Sequence, residues 1–176
     1  MENLPEILER ARSGDKDAFG LLYNEYQRKI YRYCAINLYK SDLAQDVCQE
    51  TFIRAWKALP NFKEKDGGTF QAFLFRIARN LIIDLSRKKK EFSLAAYVEV
   101  ESHENHEENL DRESEIEKIK RALAKLEEHE RQIIILRYFE DLSHNEIAKI
   151  IGIKEGALRV RTVRLLKKMK EIIIKE

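Results

Sequence analysis

Apolar residues in the first third of the chain are spaced as on one face of an α-helix. Between residues 14 and 39 they recur at steps of three and four, which predicts a long helix with one core-facing stripe. Either Asp15 or Asp17 would supply its N-cap. The stripe consists of Phe19, Leu22, Tyr23, Tyr26, Ile30, Tyr33 and Cys34.

The next helical pattern, DLAQDVCQETFIRAW at residues 42–56, stacks carboxylates on one side. The predicted helix begins at Ser41 as N-cap and ends near Leu59. Its inward face would be formed by Val47, Thr51 and Ala55. The opposite side carries acids at i, i+4 and i+8, namely Asp42, Asp46 and Glu50. Like charges at this spacing destabilise an isolated helix by about 0.2–0.5 kcal/mol per pair. The stripe is therefore either a solvated face near the helix N-terminus or a docking surface for a basic partner.

A loop, PNFKEKDGG at residues 60–68, separates this helix from a basic one, TFQAFLFRIARNLIIDLSRKKK at 69–90. The core face of the third helix would hold Phe70, Phe73, Leu74, Ile77, Leu81 and Leu85. Its other faces carry Arg76, Arg79, Asn80, Ile83 and Arg87, with Phe75 and Ile83 expected among the arginines on the outside. Cations interleaved with an aromatic ring suit single-stranded nucleic acid. The cations of residues 87–90 also fit an ordinary interaction with the helix dipole.

An acidic, polar stretch without a sustained period follows at residues 91–111 and predicts a linker. It contains His103 and His106, a spacing found in metal sites, but the sequence supplies no nearby third ligand. We therefore expect a solvated pair. Two further amphipathic helices are predicted at 113–125 and 127–139. Their apolar positions are Ile116, Ile119, Leu123 and Leu126 in the first, and Ile133, Ile134 and Leu136 beside Arg137 in the second.

The segment DLSHNEIAKIIGIKEGALRVRTVRLLKKMK at residues 141–170 predicts a helix-turn-helix. Ser143 and Glu146 form a capping box, Gly152 supplies the turn, and Ile153 fills the angle between the helices. The second helix would bury Leu158, Thr162, Leu165, Met169 and Ile173. It would expose Val160, Val163, Arg164, Lys167 and Lys168, flanked by Arg159 and Arg161. Such a helix enters the DNA major groove, where arginine reads guanine or holds phosphate and valine suits the thymine methyl. The alternative is a plain helical hairpin with a basic solvent face.

Composition and charge favour an all-α protein with two small helical domains joined by an acidic linker. The chain has 176 residues, of which 44% are hydrophobic and 36% charged, and its 6 Gly and 2 Pro are few for a turn-rich β fold. The net charge of +2 divides into +5 for residues 1–90, −9 for 91–117 and +6 for 118–176. Two basic modules suggest a polyanionic partner such as nucleic acid. The two cysteines lie in helical patterns and predict buried thiols, and no apolar run is long enough for a membrane span. We expect a soluble, cytoplasmic protein.

Three segments of the chain, in their order, resemble the extracytoplasmic-function sigma factors of bacterial RNA polymerase. They are DLAQDVCQETFIRAW, FLFRIARNLIIDLSRKKK and LSHNEIAKIIGIKEGALRVRTVRLLKK. The resemblance covers nearly the whole chain apart from the linker. It implies a region 2 domain at 1–90, a linker at 91–112 and a region 4 domain at 113–176. It also implies no enzymatic activity, no cofactor and no metal.

The resemblance implies three sets of contacts. The acidic stripe would dock on the arginine-rich coiled coil of the polymerase clamp through Asp46, Gln49, Glu50 and Ile53. The loop 61–69 and the helix after it would capture a flipped base of the −10 element through Asn61, Phe62, Lys63, Phe75, Arg76, Arg79, Asn80 and Arg87. The helix-turn-helix would contact the polymerase flap and read the −35 duplex through Lys154, Glu155, Arg159, Val160, Arg161, Val163, Arg164 and Lys168. The acidic linker would follow the polymerase's RNA path. A separate anti-sigma protein would be the regulator, although no residue of this chain identifies one.

Two other classes compete with this interpretation. An autonomous regulator would use the helix-turn-helix alone, usually as a dimer, and would leave the acidic stripe unexplained. An enzyme would use Asp42, Asp46 and Glu50 as metal ligands, but no complementary ligand cluster accompanies them in the sequence. The sequence also departs from the family: Lys154 stands where a capping Ser or Thr is usual, and Ala157 and Val160 replace polar residues. Any promoter sequence borrowed from relatives is therefore in doubt.

Overall fold

The computed structural model describes residues 3–38, 40–63, 68–95 and 115–175, and within these ranges the chain forms eight α-helices and no strand. A 3-10 turn at Leu59–Asn61 follows the third helix, and a π-helical turn at Ile135–Phe139 follows the sixth. The helices are α1 Leu4–Arg12, α2 Lys16–Leu38, α3 Ser41–Ala58, α4 Phe70–Ala95, α5 Glu115–Ala124, α6 Glu128–Ile134, α7 His144–Ile151 and α8 Glu155–Ile174. This confirms the all-α prediction.

Caps at the helix starts follow the local sequence in most places. Asp15 caps α2, since its Oδ1 accepts from the backbone N–H of Asp17 at 2.9 Å and of Ala18 at 3.1 Å. The prediction that Ser41 caps α3 is wrong. Lys40 occupies the N-cap position without a side-chain bond, and Ser41 is the first helical residue, with its Oγ 3.3 Å from Tyr31 Oη.

Helix α1 is an element that the apolar spacing did not predict. Its start carries a capping box between Asn3 and Glu6, and it buries Leu8 and Ala11 against the first domain. The segment is nine residues long, too short to show a sustained apolar period. Packing against α2 therefore stabilises it more than propensity does.

The first domain is formed by α1 to α4, with α4 as its central helix. Helix α4 packs against α3, α2 and α7, so more than one of its faces is buried. Phe75 is consequently 0% exposed, and its ring meets that of Tyr33 edge-on at 5.3 Å. The expectation that Phe75 lies outside among the arginines is wrong because the apolar period marks only one face of a helix. Ile83, expected beside it, is half-buried.

The second domain consists of α5 to α8 and confirms the helix-turn-helix. Ser143 and Glu146 form the capping box of α7, and Gly152 ends that helix in the left-handed region at φ 80°. Helix α8 buries Leu158, Thr162, Leu165 and Met169. Ile119 of α5, expected to face inward, is exposed at the edge of this core.

The predicted linker at 91–112 overlaps the end of α4, whose backbone is helical to Ala95. The rest of it, with His103 and His106, lies outside the described residues, so the proposed solvation of that pair remains a prediction. In the part of the chain that is described, no helix is long and apolar enough to cross a membrane.

Candidate polymerase and nucleic-acid interfaces

Helix α3 presents the acidic stripe on the side opposite its buried face. Val47, Thr51 and Ala55 are buried as predicted, while Asp42 and Asp46 are exposed. The stacked charge is partly relieved within the helix, because Arg54 Nε donates to Glu50 Oε1 at 2.7 Å, four residues on. Asp42 and Asp46 are thus the stripe's exposed carboxylates without such a bond among those described.

An apolar hollow of about 450 Å³ lies beside the stripe, between α2 and α3. Ile53 at its rim is 48% exposed. The aromatic rings of the hollow pack against one another. The ring centroids of Phe19 and Trp56 are 4.9 Å apart, and those of Tyr23 and Phe52 are 4.7 Å apart. Its lining residues are Lys16, Phe19, Tyr23, Gln49, Phe52, Ile53 and Trp56. A partner helix with cations and one large apolar side chain would fit both surfaces at once.

A second cavity, of about 420 Å³, opens where the chain leaves α3 and enters α4. Asn61 and Lys63 are exposed at its edge, and Arg76 of α4 projects into the same space. Phe62 forms its floor: the side chain is buried, with its ring 4.7 Å from that of Phe73. The cavity therefore combines an aromatic base with polar and cationic walls, the chemistry that holds an unstacked nucleobase.

The structure separates the other residues predicted for the −10 strand. Asn80 and Arg87 are exposed on α4, whereas Arg79 is half-buried and its Nε is buried without a hydrogen-bond partner. The proposed stacking role of Phe75 is not compatible with its position in the core. Of the two aromatic residues predicted to contact the −10 strand, Phe62 is the one that lines the cavity.

Helix α8 exposes the surface predicted for duplex DNA. Val160 is 53% and Val163 is 68% exposed. Arg161 and Arg164 lie beside them and are also exposed. Both valines lie on the side of α8 away from its buried residues.

Three of the predicted duplex contacts, Glu155, Arg159 and Lys168, are engaged within the domain. Arg159 Nη2 donates to Glu155 Oε1 at 2.6 Å, and Glu155 also accepts from Asn145 at 3.3 Å. These bonds hold the pKa of Glu155 below its usual range. Lys168 Nζ donates to Glu130 of α6 at 2.6 Å. Lys154 is the N-cap of α8 without a side-chain bond, as its departure from the usual cap residues predicted.

The metal-enzyme alternative finds no support in the described ranges. No group of three or more histidine, cysteine or carboxylate side chains is arranged there to hold a metal ion. The acids of the stripe lie along one side of α3 and project from it into solvent or toward Arg54.

Comparison with known proteins gives two family matches in the same order as the two domains. Residues 22–92 match Sigma-70 region 2, and residues 116–169 match Sigma-70, region 4. The chain is 33% identical over 172 residues to the ECF RNA polymerase sigma factor BldN of Streptomyces coelicolor, covering 93% of this chain and 64% of that protein. It is 31% identical over 169 residues to the ECF RNA polymerase sigma factor SigW of Bacillus subtilis, covering 89% of each.

The chain belongs to the ECF sigma factors. Sigma factors of this family are DNA-binding proteins that bind core RNA polymerase, recognise promoters and initiate transcription. That is the function of this chain.

Two solved structures share the fold of this sigma factor across both domains. The sigma factor RpoE, in complex with the anti-sigma factor NepR from Bartonella quintana, has a TM-score of 0.73 at 25% identity and covers 88% of this chain and 96% of its own. CnrH, in complex with the cytosolic domain of CnrY, has a TM-score of 0.72 at 25% identity and covers 97% of this chain and 96% of its own.

Sequence reasoning missed two parts of this sigma factor's surfaces. The first is the apolar hollow, although Ile53 and Trp56 both stand outside the buried stripe of α3 and thus signalled an apolar exposed surface. The second is the contact of α7 with the cavity at the start of α4, to which Lys149 and Ile150 contribute. No local sequence pattern predicts that contact, since it joins segments more than 70 residues apart.

Proposed function

We propose that α3 is the polymerase-docking element of this sigma factor, with Asp46, Gln49, Glu50 and Ile53 as its contacts. The observation that carries this assignment is the pairing of an exposed carboxylate stripe with an open apolar hollow on the same helix. Carboxylates speed the encounter with a basic surface, while the hollow can bury a large apolar side chain of the partner. The free helix tolerates the stacked charge because Arg54 neutralises Glu50 until the partner arrives.

The cavity at the start of α4 is our candidate for the captured −10 base. Asn61, Lys63 and Arg76 supply polar and cationic contacts around the floor made by Phe62. Asn80 and Arg87 extend the accessible surface along α4, and Arg79, next to Asn80 in sequence, is half-buried. Flipping a base costs a few kcal/mol of stacking, which a pocket with a cationic wall offsets.

Helix α8 is our candidate for the −35 duplex. Val160, Val163 and Arg164 form its exposed centre, and Arg161 adds a flanking cation. Lys154, Glu155, Arg159 and Lys168 surround this centre. Glu155, Arg159 and Lys168 are engaged in the pairs Glu155–Arg159 and Lys168–Glu130. We therefore assign these three, together with Lys154, to positioning the helix or contacting phosphate.

The remaining assignments follow from the same proposal. Residues 1–90 act as the region 2 domain, 91–112 as the connecting segment along the RNA path, and 113–176 as the region 4 domain that also meets the polymerase flap. The chain works in the cytoplasm, where its polymerase is, and has no catalytic activity of its own. Because RpoE and CnrH have structures with NepR and CnrY, we also propose an anti-sigma protein as a regulator.

The test is a titration of fluorescently labelled protein with core RNA polymerase, with promoter-length duplex alone as the comparison. Asp46→Arg combined with Glu50→Arg is expected to abolish polymerase binding. The matched control is Glu25→Arg with Asp84→Arg, two exposed acids away from α3, which should bind as the wild type does. Unchanged affinity of the first variant would remove the docking assignment. Tight duplex binding without polymerase affinity would indicate an operator-binding regulator instead.

A further inference from the structure

The first turn of α8 carries a carboxylate on the helix that is proposed to contact DNA. Glu155 is the first residue of α8, and the exposed Val160 and Val163 follow it along the helix. A carboxylate near DNA is repelled by the phosphates, so on charge alone Glu155 lowers the affinity of α8 for any duplex. Its hydrogen bonds within the domain give it a role that offsets this repulsion.

Both carboxylate oxygens of Glu155 accept hydrogen bonds. Arg159 donates to Oε1 from Nη2 at 2.6 Å and from Nε at 3.1 Å. Asn145 of α7 donates to Oε2 from Nδ2 at 3.3 Å. Glu155 is therefore the middle member of a chain of bonds that runs from the first helix of the helix-turn-helix to a cation on the second. The bond from Arg159, and then that from Asn145, hold the pKa of Glu155 below its usual range, so the carboxylate stays charged at neutral pH.

These bonds fix the direction in which Arg159 presents its guanidinium group. The group carries five N–H donors in one plane. The donors that point to Glu155 lie on the edge formed by Nε and Nη2, which leaves the end edge, formed by Nη1 and Nη2, for another acceptor. The side chain of Arg159 is 64% exposed. A planar pair of N–H groups at an exposed position fits two oxygens of one phosphate.

An arginine that is already held in place binds at a lower entropic cost than a free one. A free arginine side chain samples many rotamers and loses that freedom when it binds. An exposed ion pair between residues four apart on one helix would order Arg159 only weakly. Here the carboxylate is also bonded to Asn145 on a different helix, so the pair is tied to the fixed angle between α7 and α8.

We propose that Glu155 is a positioning residue for DNA binding, which together with Asn145 holds Arg159 so that the free edge of its guanidinium group meets a phosphate of the −35 duplex. This rests on the proposed role of α8 in contacting that duplex. Glu155 does not touch DNA and acts through Arg159. Its repulsion by the phosphates is small because the arginine that it orients also neutralises its charge.

The first test measures the affinity of the holoenzyme, made from core polymerase and the full chain, for a promoter duplex and for the same duplex with its −35 segment scrambled. Glu155→Ala should weaken binding to both duplexes by about threefold or more, although it removes a negative charge. Charge alone predicts the opposite sign. The matched control is Glu171→Ala, which removes an exposed carboxylate about four turns further along α8. This control should bind DNA at least as tightly as the wild type.

Two further variants separate positioning from charge and from folding. Asn145→Ala changes no charge, yet it should weaken binding by about two- to fivefold because Glu155 loses its bond to α7. Glu155→Gln keeps an acceptor for Arg159 and should therefore retain the affinity that Glu155→Ala loses. Circular dichroism shows whether each variant is folded at the temperature of the titration.

A double-mutant cycle tests whether Glu155 acts through Arg159. Arg159→Ala should weaken binding to both duplexes and lower the slope of log affinity against log salt concentration by about one, as the loss of one phosphate contact does. In the Arg159→Ala background, Glu155→Ala should cause no further loss, or should strengthen binding because only its repulsion by DNA remains. Equal losses in the two backgrounds would show that Glu155 acts independently of Arg159 and would overturn the proposal.

The outcomes separate this inference from the proposed function. If Glu155→Ala binds as tightly as the wild type while Arg164→Ala still weakens binding, the positioning role is overturned and the assignment of α8 to the duplex stands. A loss for Arg159→Ala that is confined to the promoter duplex also overturns the inference, since Arg159 would then read a base. If Arg164→Ala and Arg159→Ala both leave the affinity of the holoenzyme unchanged, α8 is not the duplex contact, and both the assignment and the inference fall.

Discussion

Lys168 of α8 and Glu130 of α6 form an ion pair, with Nζ 2.6 Å from Oε2. Lys168 was expected to contact DNA, yet in the free domain its ammonium group ties the recognition helix to the helix behind it. Arg164, one turn earlier on α8, is exposed at the centre of the surface proposed for the duplex. Two cations four residues apart on α8 thus have different surroundings.

We predict that Arg164→Ala weakens −35 duplex binding by about 1–3 kcal/mol if the guanidinium reads a base. Lys168→Ala should weaken it less, because that side chain is engaged by Glu130. Anisotropy titrations with the promoter duplex and with a scrambled duplex measure both effects. An equal loss on the two duplexes would make Arg164 a phosphate contact, and a larger loss for Lys168→Ala would reverse the assignment.

The same ion pair predicts a pH dependence of domain stability. Burial works to raise the pKa of Glu130, but the bonds from Lys168 and from the backbone N–H of Glu127 outweigh it and hold the pKa below the ordinary 4.5. A carboxyl with a depressed pKa stabilises the fold fully above that ordinary value and loses the contribution as the pH falls through the lower one. Glu130→Gln should therefore cost about 0.2–1 kcal/mol in urea unfolding at pH 7 and much less at pH 3. A cost that is equal at both pH values would contradict this account.

Local signals in the sequence predicted local structure well. The capping box of Ser143 and Glu146, the left-handed Gly152 and the buried face of α8 all depend on residues within one or two turns. The first two are confirmed, and so is the buried face from Leu158 to Met169, whereas Ile173, which was also expected to be buried, is half-buried. The family was likewise indicated by short segments whose order and spacing are preserved. The residue-level contacts with polymerase and DNA stay predictions.

The parts that sequence did not predict depend on how the domains meet. Arg32 and Glu140 form an ion pair but are 108 residues apart, and no periodicity links them. Phe75 was assigned to the surface because α4 shows one apolar face, but neighbours cover more than one of its faces. Phe62 was treated as a loop contact, whereas packing on Phe73 makes it the cavity floor. Tertiary packing decided each case.

The corrected position of Phe75 gives a prediction about stability. Phe75→Ala should destabilise the first domain by about 3–5 kcal/mol, since it removes a buried ring from a packed core. Ile83→Ala on the same helix, at a half-buried position, should cost less. Urea denaturation followed by circular dichroism measures both. Near-normal stability of Phe75→Ala together with lost strand binding would restore a stacking role.

The two thiols should be inert in the folded protein. Burial raises the pKa of Cys34 to about 12 and that of Cys48 to about 11, and Cys48 Sγ donates weakly to the carbonyl of Gln27 at 3.7 Å. At pH 8 the thiolate fraction is then about one in a thousand or less, against about a quarter for an ordinary exposed cysteine. Reaction of the native protein with a chromogenic disulfide reagent at pH 8 should release almost no thiolate from the reagent. After denaturation, two equivalents of that thiolate per chain should be released. Rapid reaction of native protein would show that α2 and α3 separate easily.

The apolar hollow predicts that polymerase docking is not only electrostatic. Ile53→Ala should lower core polymerase affinity about tenfold, since three methyl or methylene groups at about 0.8 kcal/mol each are partly buried by a docked side chain. The matched control is Leu21→Ala on α2, which removes a similarly exposed side chain from the groove between α1 and α2. Salt separates the two contributions. High ionic strength should lower the polymerase affinity of the wild type, because it screens the acidic stripe. The ratio of the polymerase affinities of the wild type and Ile53→Ala should stay the same. A ratio that falls to one in high salt would mean that Ile53 acts only by placing the carboxylates, and the hollow would then have no binding role of its own.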